Sequence, residues 1–277
     1  MSELKKFFAV ALILLFLCNG VAFAEDASGL TIHFFDVGKA DCILIKQGEN
    51  ALLLDTGYRE TVDEVISKLS ADFNVNKLDC LLLSHFDKDH VGGANKIVQK
   101  LSPSKIYEPV CIKQSKYVKS YRQALDACNI APVIVENTLK FSMGELNFTL
   151  YPPKPYRGMV SNDSSVITLL EFRGQRFLFM GDALDRRMET FFAEQFSGET
   201  IDFMKLPHHG FFLTKSEIFK DIYYSAKPKI VVITDSKKYG IRKSLDFMFM
   251  LDGVQEYRLR NGAVTIFSKG CEIIVNQ

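Results

Sequence analysis

The sequence contains no tryptophan, only five histidines in 277 residues, and no excess of charge of either sign. Its 34 basic and 33 acidic side chains nearly cancel, so charge indicates no stable nucleic-acid partner. No cysteine pair has the spacing of a zinc ribbon, so histidine and aspartate must hold any metal. The sequence shows no repeat, linker or low-complexity segment, which favours one folded domain.

The long apolar run lies at the amino terminus. A basic start ending at Lys6 precedes "FFAVALILLFL", and small residues follow as far as Ala24. This order is typical of a secretory signal peptide that is removed after export. We predict a signal peptide at 1–24, cleavage near Ala24, a mature domain at 25–277 and an extracytoplasmic location. The alternative is an uncleaved anchor, which would be the protein's only contact with the membrane.

Five cysteines remain after removal of residues 1–24. Cys42 and Cys80 lie in apolar strand-like segments and are expected to be buried thiols. Cys111 and Cys128 flank a polar segment, and in an exported protein they are candidates for one disulfide. The odd number leaves at least one thiol free.

Strand and helix patterns alternate along the mature chain. Strands are predicted at residues 31–37, 41–47, 50–57, 78–84, 166–172, 176–183, 202–207 and 229–236, and helices at 61–73, 92–101, 185–196 and 216–226. The early strands follow one another as hairpins and the later ones come with helices, so we expect a mixed sheet sandwich with helices outside. The tail, from residue 244, predicts a helix and a closing hairpin around Asn261-Gly262.

The segment "LLLSHFDKDHVGG", residues 81–93, ends a buried strand and then places four metal-ligand side chains within six positions. These are His85, Asp87, Asp89 and His90. Imidazole and carboxylate are first-choice ligands for zinc, manganese and iron. The alternative is a polar loop that merely caps the next helix.

Other acidic and imidazole side chains also follow apolar strands. Asp55 ends "ALLLD", Asp182 ends "RFLFMGD", and His208 and His209 end "DFMKLPHH". Strand ends that meet on one edge of a sandwich build a site from residues far apart in sequence. The fifth histidine, His33, lies inside a strand and is expected to be a packed core residue.

The motifs "LLLDTG", "SHFDKDHVGG", "FMGDA" and "LPHHG" together resemble those of metallo-β-lactamase-fold hydrolases. "FFDVGKADCILI" and "NDSSVITLLEFRGQRFLFMGD" are similar to motifs of one branch, the extracellular hydrolase domain of the competence protein ComEC and its free-standing relatives. The likeness spans roughly residues 30 to 235. It implies an α+β fold, a four-layer αββα sandwich with two divalent metal ions at one edge of its sheets.

The resemblance also implies a role for each matching residue. His85 and Asp87 would bind one metal, Asp89 and His90 the other, and Asp182 would bridge them. His208 is favoured over His209 as the remaining ligand, although the sequence does not separate them. Supporting roles follow for Asp55, which would orient the ligand loop, and for Asp36, for which a simple turn aspartate is an equal alternative.

Two departures from the wider superfamily bear on the metal. Its usual HxHxDH has Asp87 in place of a histidine, and no histidine lies between His90 and His208. Asn162, Asp163 or Ser164 would fill the place of the missing mid-chain ligand. Such an oxygen-rich site tolerates manganese, although zinc is favoured.

The predicted function is phosphodiester hydrolysis by a hydroxide shared between two metals, on a nucleic acid or a cell-wall polymer. Asp89 and His209 are the predicted catalytic residues, and His209 would donate to a phosphate oxygen or the leaving group. Phe211 and Phe212 would hold a base or a quaternary ammonium, or simply belong to the core. The alternatives are a lactam or lactone hydrolase, or an inactive binding module of the same fold.

Overall fold

The computed structural model describes residues 28–196, 198–211, 213–238 and 243–277. The predicted signal peptide at 1–24 and Phe212 lie outside these ranges. Within them, no helix is long and apolar enough to cross a lipid bilayer.

Over the described residues, the first sheet has eight strands, in the spatial order β15-β14-β1-β2-β3-β4-β5-β6. Their bounds are β1 Leu30–Phe34, β2 Ile43–Gln47, β3 Asn50–Leu54, β4 Cys80–Leu82, β5 Lys105–Glu108, β6 Val133–Ile134, β14 Val264–Ser268 and β15 Ile273–Asn276. β1, β2 and β3 pair antiparallel, as the hairpin pattern of the sequence predicts, whereas β3, β4, β5 and β6 run parallel.

The second sheet has seven strands within the described ranges, in the order β13-β12-β11-β10-β9-β8-β7. Their bounds are β7 Leu139–Met143, β8 Leu146–Tyr151, β9 Ile167–Phe172, β10 Gln175–Phe179, β11 Phe203–Lys205, β12 Ile230–Ile233 and β13 Gln255–Arg258. β7 to β10 are antiparallel, and β10 to β13 are parallel. Parallel pairing requires crossovers, and helices supply most of them.

In the described part of the chain, seven α-helices cover the outer faces of the two sheets. They are α1 Val62–Phe73, α2 Lys88–Val91, α3 Ala94–Leu101 and α4 Lys116–Cys128 on the first sheet, and α5 Asp185–Glu194, α6 Glu217–Ala226 and α7 Lys243–Asp252 on the second. One apolar core lies between the sheets and one lies under each helical layer. The predicted α+β, four-layer αββα sandwich is therefore confirmed.

Because both faces of each sheet are buried, the sequences of the central strands are continuous apolar runs. In β3, Leu52 and Leu54 enter the core between the sheets, and Leu53 enters the core beneath the helices. All three are nearly inaccessible to solvent. Each such side chain contributes roughly 1.5–3 kcal/mol through burial.

The structure corrects the predicted disulfide. All five described cysteines are free thiols, with Cys42 and Cys80 buried as expected. Cys111 lies before α4 and its Sγ–H donates to the carbonyl of Lys113 at 3.3 Å. Cys128 is the exposed last residue of α4, and no disulfide joins it to Cys111.

The structure also corrects the predicted hairpin at Asn261-Gly262. Those residues link β13 in the second sheet to β14 in the first, through a 3-10 turn at Leu259–Asn261. β14 pairs along its whole length with β1. The closing hairpin lies later, between β14 and β15.

Candidate metal centre

One edge of the sandwich collects the carboxyl ends of the parallel strands of both sheets. Asp55 follows β3 directly, Ser84 and His85 follow β4, and Asp182 follows β10. His209 follows β11, and Thr234 follows β12. The predicted convergence of strand ends is therefore present.

Four side chains form the centre of the site. Ligand atoms of Asp89, His90, Asp182 and His209 all lie within 4.8 Å of one another. The Nε2 atoms of His90 and His209 are each 3.3 Å from Asp182, on different carboxylate oxygens. Asp89 Oδ2 lies 3.6 Å from His209 Nε2. Asp182 thus stands between two imidazoles, as expected for a bridging group.

His85 and Asp87 lie at the rim of this group. His85 is fully buried, and its Nε2 is 3.9 Å from Asp182 Oδ2. The Asp87 carboxylate is 23 % exposed and accepts a hydrogen bond of 2.6 Å from Lys113 Nζ. Asp182 is therefore shared between an inner group (Asp89, His90 and His209) and an outer group (His85 and Asp87).

The loop after β4 is fixed by its own backbone and by the loop after β3. The amides of His90 and Val91 donate to the carbonyl of Asp87, and that of Thr56 donates to the carbonyl of His90. Thr56 Oγ1 also donates to the His90 carbonyl, at 2.7 Å. These bonds fix the positions of Asp89 and His90 within the short helix α2.

Asp55 and Ser84 set the tautomers of two histidines. The His90 Nδ1–H donates to Asp55 Oδ2 at 2.7 Å, and the Ser84 hydroxyl donates to the same oxygen at 2.6 Å. Because the hydroxyl proton of Ser84 is donated to Asp55, Ser84 Oγ can only accept in its contact with His85, from Nδ1–H at 3.1 Å. Both rings therefore turn an Nε2 lone pair toward Asp182, as metal-ligating histidines require. The supporting position inferred for Asp55 agrees with these contacts.

His209, and not His208, reaches the inner group. Both residues have left-handed backbones, with φ of 49° at His208 and 52° at His209. Such conformations are costly for residues other than glycine and gather at functional sites. The fold directs His209 inward, where Nδ1 lies 2.9 Å from Thr234 Oγ1. His208 is only half-buried, and its ring lies beside that of Phe211.

Asp41 and Lys205 belong to the site although the sequence analysis did not select them. Lys205 is fully buried, and its Nζ pairs with Asp41 Oδ2, donates to the Gly181 carbonyl at 3.0 Å and lies 3.8 Å from Asp182 Oδ1. Asp41 Oδ1 is 3.4 Å from His209 Nδ1. The sequence does contain one indication of this pair, a lysine inside the apolar strand "DFMKLP", because a buried lysine requires a charged or polar partner.

The carboxylates control the protonation of the imidazoles. Burial opposes the charged form of His209, but the charge of Asp182 outweighs it and raises the pKa of His209 to about 9. For His90 burial is again outweighed, by Asp182, Asp55 and Asp41, and its pKa is raised. Burial and the neighbouring His90 lower the pKa of His85 to about 4. A field that attracts a proton also attracts a metal cation, which replaces that proton on binding.

The remaining sequence candidates lie outside the cluster. Asp163 accepts from the Tyr156 hydroxyl and from the Leu184 amide, within a 3-10 turn at Asn162–Ser164. Asp36 is exposed and accepts only a long 3.5 Å bond from Gly38, which agrees with the turn-aspartate alternative. His33 is partly buried, packs against Phe35 and Phe73 and pairs with Thr265, so it is a packed residue at the border of the core.

The donor set fits divalent metal ions. Among the described residues, the buried Nε2 atoms of His85, His90 and His209 and Oδ1 of Asp182 have no hydrogen-bond partner. Buried polar atoms are rarely left in this state. Imidazole nitrogen and carboxylate oxygen converging in this way suit zinc and manganese.

A family model described as the Metallo-beta-lactamase superfamily matches residues 35–212. The chain is 22% identical over 223 residues to ComE operon protein 3 of Bacillus subtilis, covering 74% of this chain and 28% of that protein. It is 25% identical over 202 residues to competence protein ComA of Neisseria gonorrhoeae, covering 72% and 26%. The chain thus spans about a quarter of the length of these curated relatives.

Among solved structures, the fold is similar to that of the metallo-beta-lactamase fold protein YhfI of Bacillus subtilis. The TM-score is 0.53 and the identity 13%, over 83% of this chain and 95% of that one. This likeness concerns the fold alone. The competence-related names of the relatives agree with the resemblance drawn from the motifs.

Proposed function

Because this chain belongs to the metallo-beta-lactamase superfamily of hydrolases, we propose that it is an exported hydrolase of phosphodiesters that uses two divalent metal ions. The inner position is formed by Asp89, His90, Asp182 and His209. The outer position is formed by His85, Asp87 and Asp182. The observation that carries the proposal is the convergence of these side chains on Asp182, with buried Nε2 atoms directed at it.

His209 is the proposed inner ligand, in place of the sequence-based preference for His208. Its Nε2 lies 3.3 Å from Asp182 and 3.6 Å from Asp89. Thr234 and Asp41 hold the opposite nitrogen, which is the support that metal-bound imidazoles need. His208 then takes the substrate-side role first considered for His209.

The charge of the site supports two ions and an anionic substrate. Five carboxylates and two lysine ammonium groups surround the site. The carboxylates are those of Asp41, Asp55, Asp87, Asp89 and Asp182, and the ammonium groups are those of Lys113 and Lys205. With neutral histidines the formal charge is −3, so two divalent ions bring it to +1 and the hydroxide nucleophile brings it to 0. Two ions would also neutralise the charge that phosphodiester cleavage concentrates on the non-bridging oxygens, and a lactam gains less from this.

Bound divalent ions lower the pKa of a coordinated water and neutralise charge on the phosphate oxygens. The chain's own residues orient and receive the substrate. His208 faces the open side beside Phe211, and Lys39 Nζ lies over the Phe211 ring at 5.0 Å from its centroid. Burial lowers the pKa of His208, so the ring is neutral near pH 7. It is placed to hydrogen-bond a phosphate oxygen or the leaving oxygen.

Zinc is the favoured metal, and the extra carboxylate of Asp87 also accommodates manganese. The proposed substrate is a nucleic acid or a cell-wall phosphodiester polymer. The competence-related relatives support the first, and the near-zero net charge of the chain leaves the second open. Export rests on the signal-peptide pattern at residues 1–24.

The test compares the hydrolysis of bis(p-nitrophenyl) phosphate and of a chromogenic cephalosporin, with zinc or manganese. The diester should be cleaved faster, and chelation should stop the reaction. Asp182→Asn should abolish turnover with little change in fold, while Lys100→Ala, on the exposed side of α3, should leave turnover unchanged. Cephalosporin turnover without diesterase activity would favour the lactamase alternative. Well under one metal equivalent in the purified protein would favour the inactive binding module.

A further inference from the structure

We propose that Lys113 competes with the outer metal ion for Asp87, so that the two metal positions fill unequally. The inner position would bind its ion tightly, and the outer position would fill only when a second ion displaces the lysine. The inference rests on the proposed function, since it concerns the same two positions.

The first support is the contact itself. Lys113 Nζ lies 2.6 Å from Asp87 Oδ1, closer than His85 Nε2 is to Asp182. An ammonium at this distance neutralises Asp87, the one carboxylate of the outer position that the inner position does not share. A divalent ion on the same oxygen would experience strong repulsion from the lysine.

The second support is that the inner and outer positions differ. Asp89, His90, Asp182 and His209 have ligand atoms within 4.8 Å of one another, and Asp87 is not among them. Among the described lysines, only Lys205 pairs with a carboxylate of the inner position. Its Nζ lies 3.8 Å from Asp182 Oδ1, and its closer partner is Asp41. No described lysine therefore lies as close to an inner carboxylate as Lys113 lies to Asp87.

The third support is that Lys113 is held near Asp87 but can leave. Its carbonyl accepts from Cys111, and two residues later Ser115 caps α4 by accepting from the Val118 amide at 3.2 Å. The side chain itself is 36 % exposed, and exposed ion pairs of this kind are weak. Lys205, with a side chain that is 1 % exposed, has no such route to solvent.

The test measures metal binding directly, by titration against a chromophoric chelator and by elemental analysis after dialysis. The wild type should retain about one zinc equivalent and bind a second weakly. Lys113→Met should retain two, with the outer affinity raised about 10-fold or more. Lys88→Met is the matched control, because it removes the same charge from an exposed position next to Asp87 without removing the 2.6 Å contact.

Asp87→Asn supplies a second, independent variant. It should lose the outer ion, and adding Lys113→Met should then have no further effect, as a direct interaction between the two residues requires. Circular dichroism checks that each variant is folded, and Lys113→Gln repeats the test if the methionine variant is not. Two equally tight ions in the wild type, or an unchanged second affinity in Lys113→Met, would overturn the role of Lys113 alone. No metal at either position would instead refute the proposed function.

Discussion

Histidines of this chain differ in protonation because their nearest charges differ. His33 donates or accepts a 2.8 Å bond with Thr265, and burial, followed by Lys68, lowers its pKa to about 4. His90 is more deeply buried, yet three carboxylates raise its pKa. The same side chain is therefore neutral in β1 and strongly basic at the sheet edge.

His33 should make stability depend on pH. Its pKa is about 4 in the folded state and about 6.5 unfolded, so the unfolded chain binds more protons between these values. Stability should be intact above pH 6.5 and fall as pH decreases toward 4. From pH 7 to pH 5 the loss from this residue should be about 1–2 kcal/mol.

Urea unfolding at both pH values, in the wild type and in His33→Gln, isolates this effect from that of the site histidines. The glutamine amide keeps a hydrogen bond to Thr265 within reach. The wild type should lose more stability than the variant on acidification. Equal losses would show that His33 is protonated in the folded protein.

Adjacent histidines His208 and His209 should respond differently to substitution. His209→Ala removes an Nε2 that lies 3.3 Å from Asp182, so the inner ion should be lost together with activity. His208→Ala should keep the metal but slow diester hydrolysis by roughly 10²-fold or more. Elemental analysis and steady-state kinetics on both variants decide the assignment, and metal loss in the His208 variant only would restore the sequence-based preference.

At the scale of elements, the position of the loop after β4 depends on two glycines that directly precede α3. A Cβ on Gly92 would lie 2.3 Å from the Lys88 carbonyl oxygen and 2.7 Å from that of Gly57, and a Cβ on Gly93 would lie 2.8 Å from that of Thr56. Backbone atoms cannot move aside as the end of a flexible side chain can. The glycines therefore let the loop after β4 pack directly on the loop after β3.

Gly92→Ala should consequently separate these two loops. We expect destabilisation of about 1–3 kcal/mol and weaker zinc binding, because the Thr56–His90 contact helps to fix His90. Thermal unfolding and chelator competition measure the two effects. Lys100→Ala, at an exposed position of α3, should change stability by no more than about 0.5 kcal/mol. Unchanged metal affinity in Gly92→Ala would show that the loop is positioned by other contacts.

Periodic, apolar elements were predictable from sequence, and so was the convergence of acidic and imidazole side chains at the ends of their strands. β1 to β4 and β9 to β12 coincide with predicted strands. The stretch from 102 to 151 was not assigned from sequence. Several of its strands are short or half-exposed, whereas α4 does carry a helical spacing of apolar residues, at Val118, Tyr121 and Leu125. The pairing of Asp41 with Lys205 depends on how the sheets meet, which no local pattern contains. Asn261-Gly262 resembles a hairpin turn, but the parallel pairing of β13 with β12 decides otherwise.

At the scale of the molecule, the two sheets are joined by phenylalanine in a chain that lacks tryptophan. Phe34 of the first sheet lies 5.8 Å from Phe203 and 6.4 Å from Phe179 of the second, between ring centroids. Such ring pairs add to the free energy of burial. At the other end of the chain, β14 crosses back to pair with β1. Both sheets therefore depend on residues that are far apart in sequence.

The metal centre forms a further link between the sheets. His85, Asp89 and His90 belong to the loop after β4 in the first sheet, while Asp182 and His209 follow β10 and β11 in the second. Ions bound by both sets should stabilise the native state, because the unfolded chain has no preformed site.

Removal of metal should therefore lower the melting temperature of the whole domain. Saturation at about 100 times the dissociation constant contributes roughly 2.7 kcal/mol, which corresponds to a shift of about 5–10 °C for a domain of this size. Calorimetry with zinc and with excess chelator measures the shift. Asp182→Asn, which removes the shared carboxylate, should abolish most of it, whereas His33→Gln should retain it. A melting temperature that is equal with and without bound zinc would show that the ions do not hold the two sheets together.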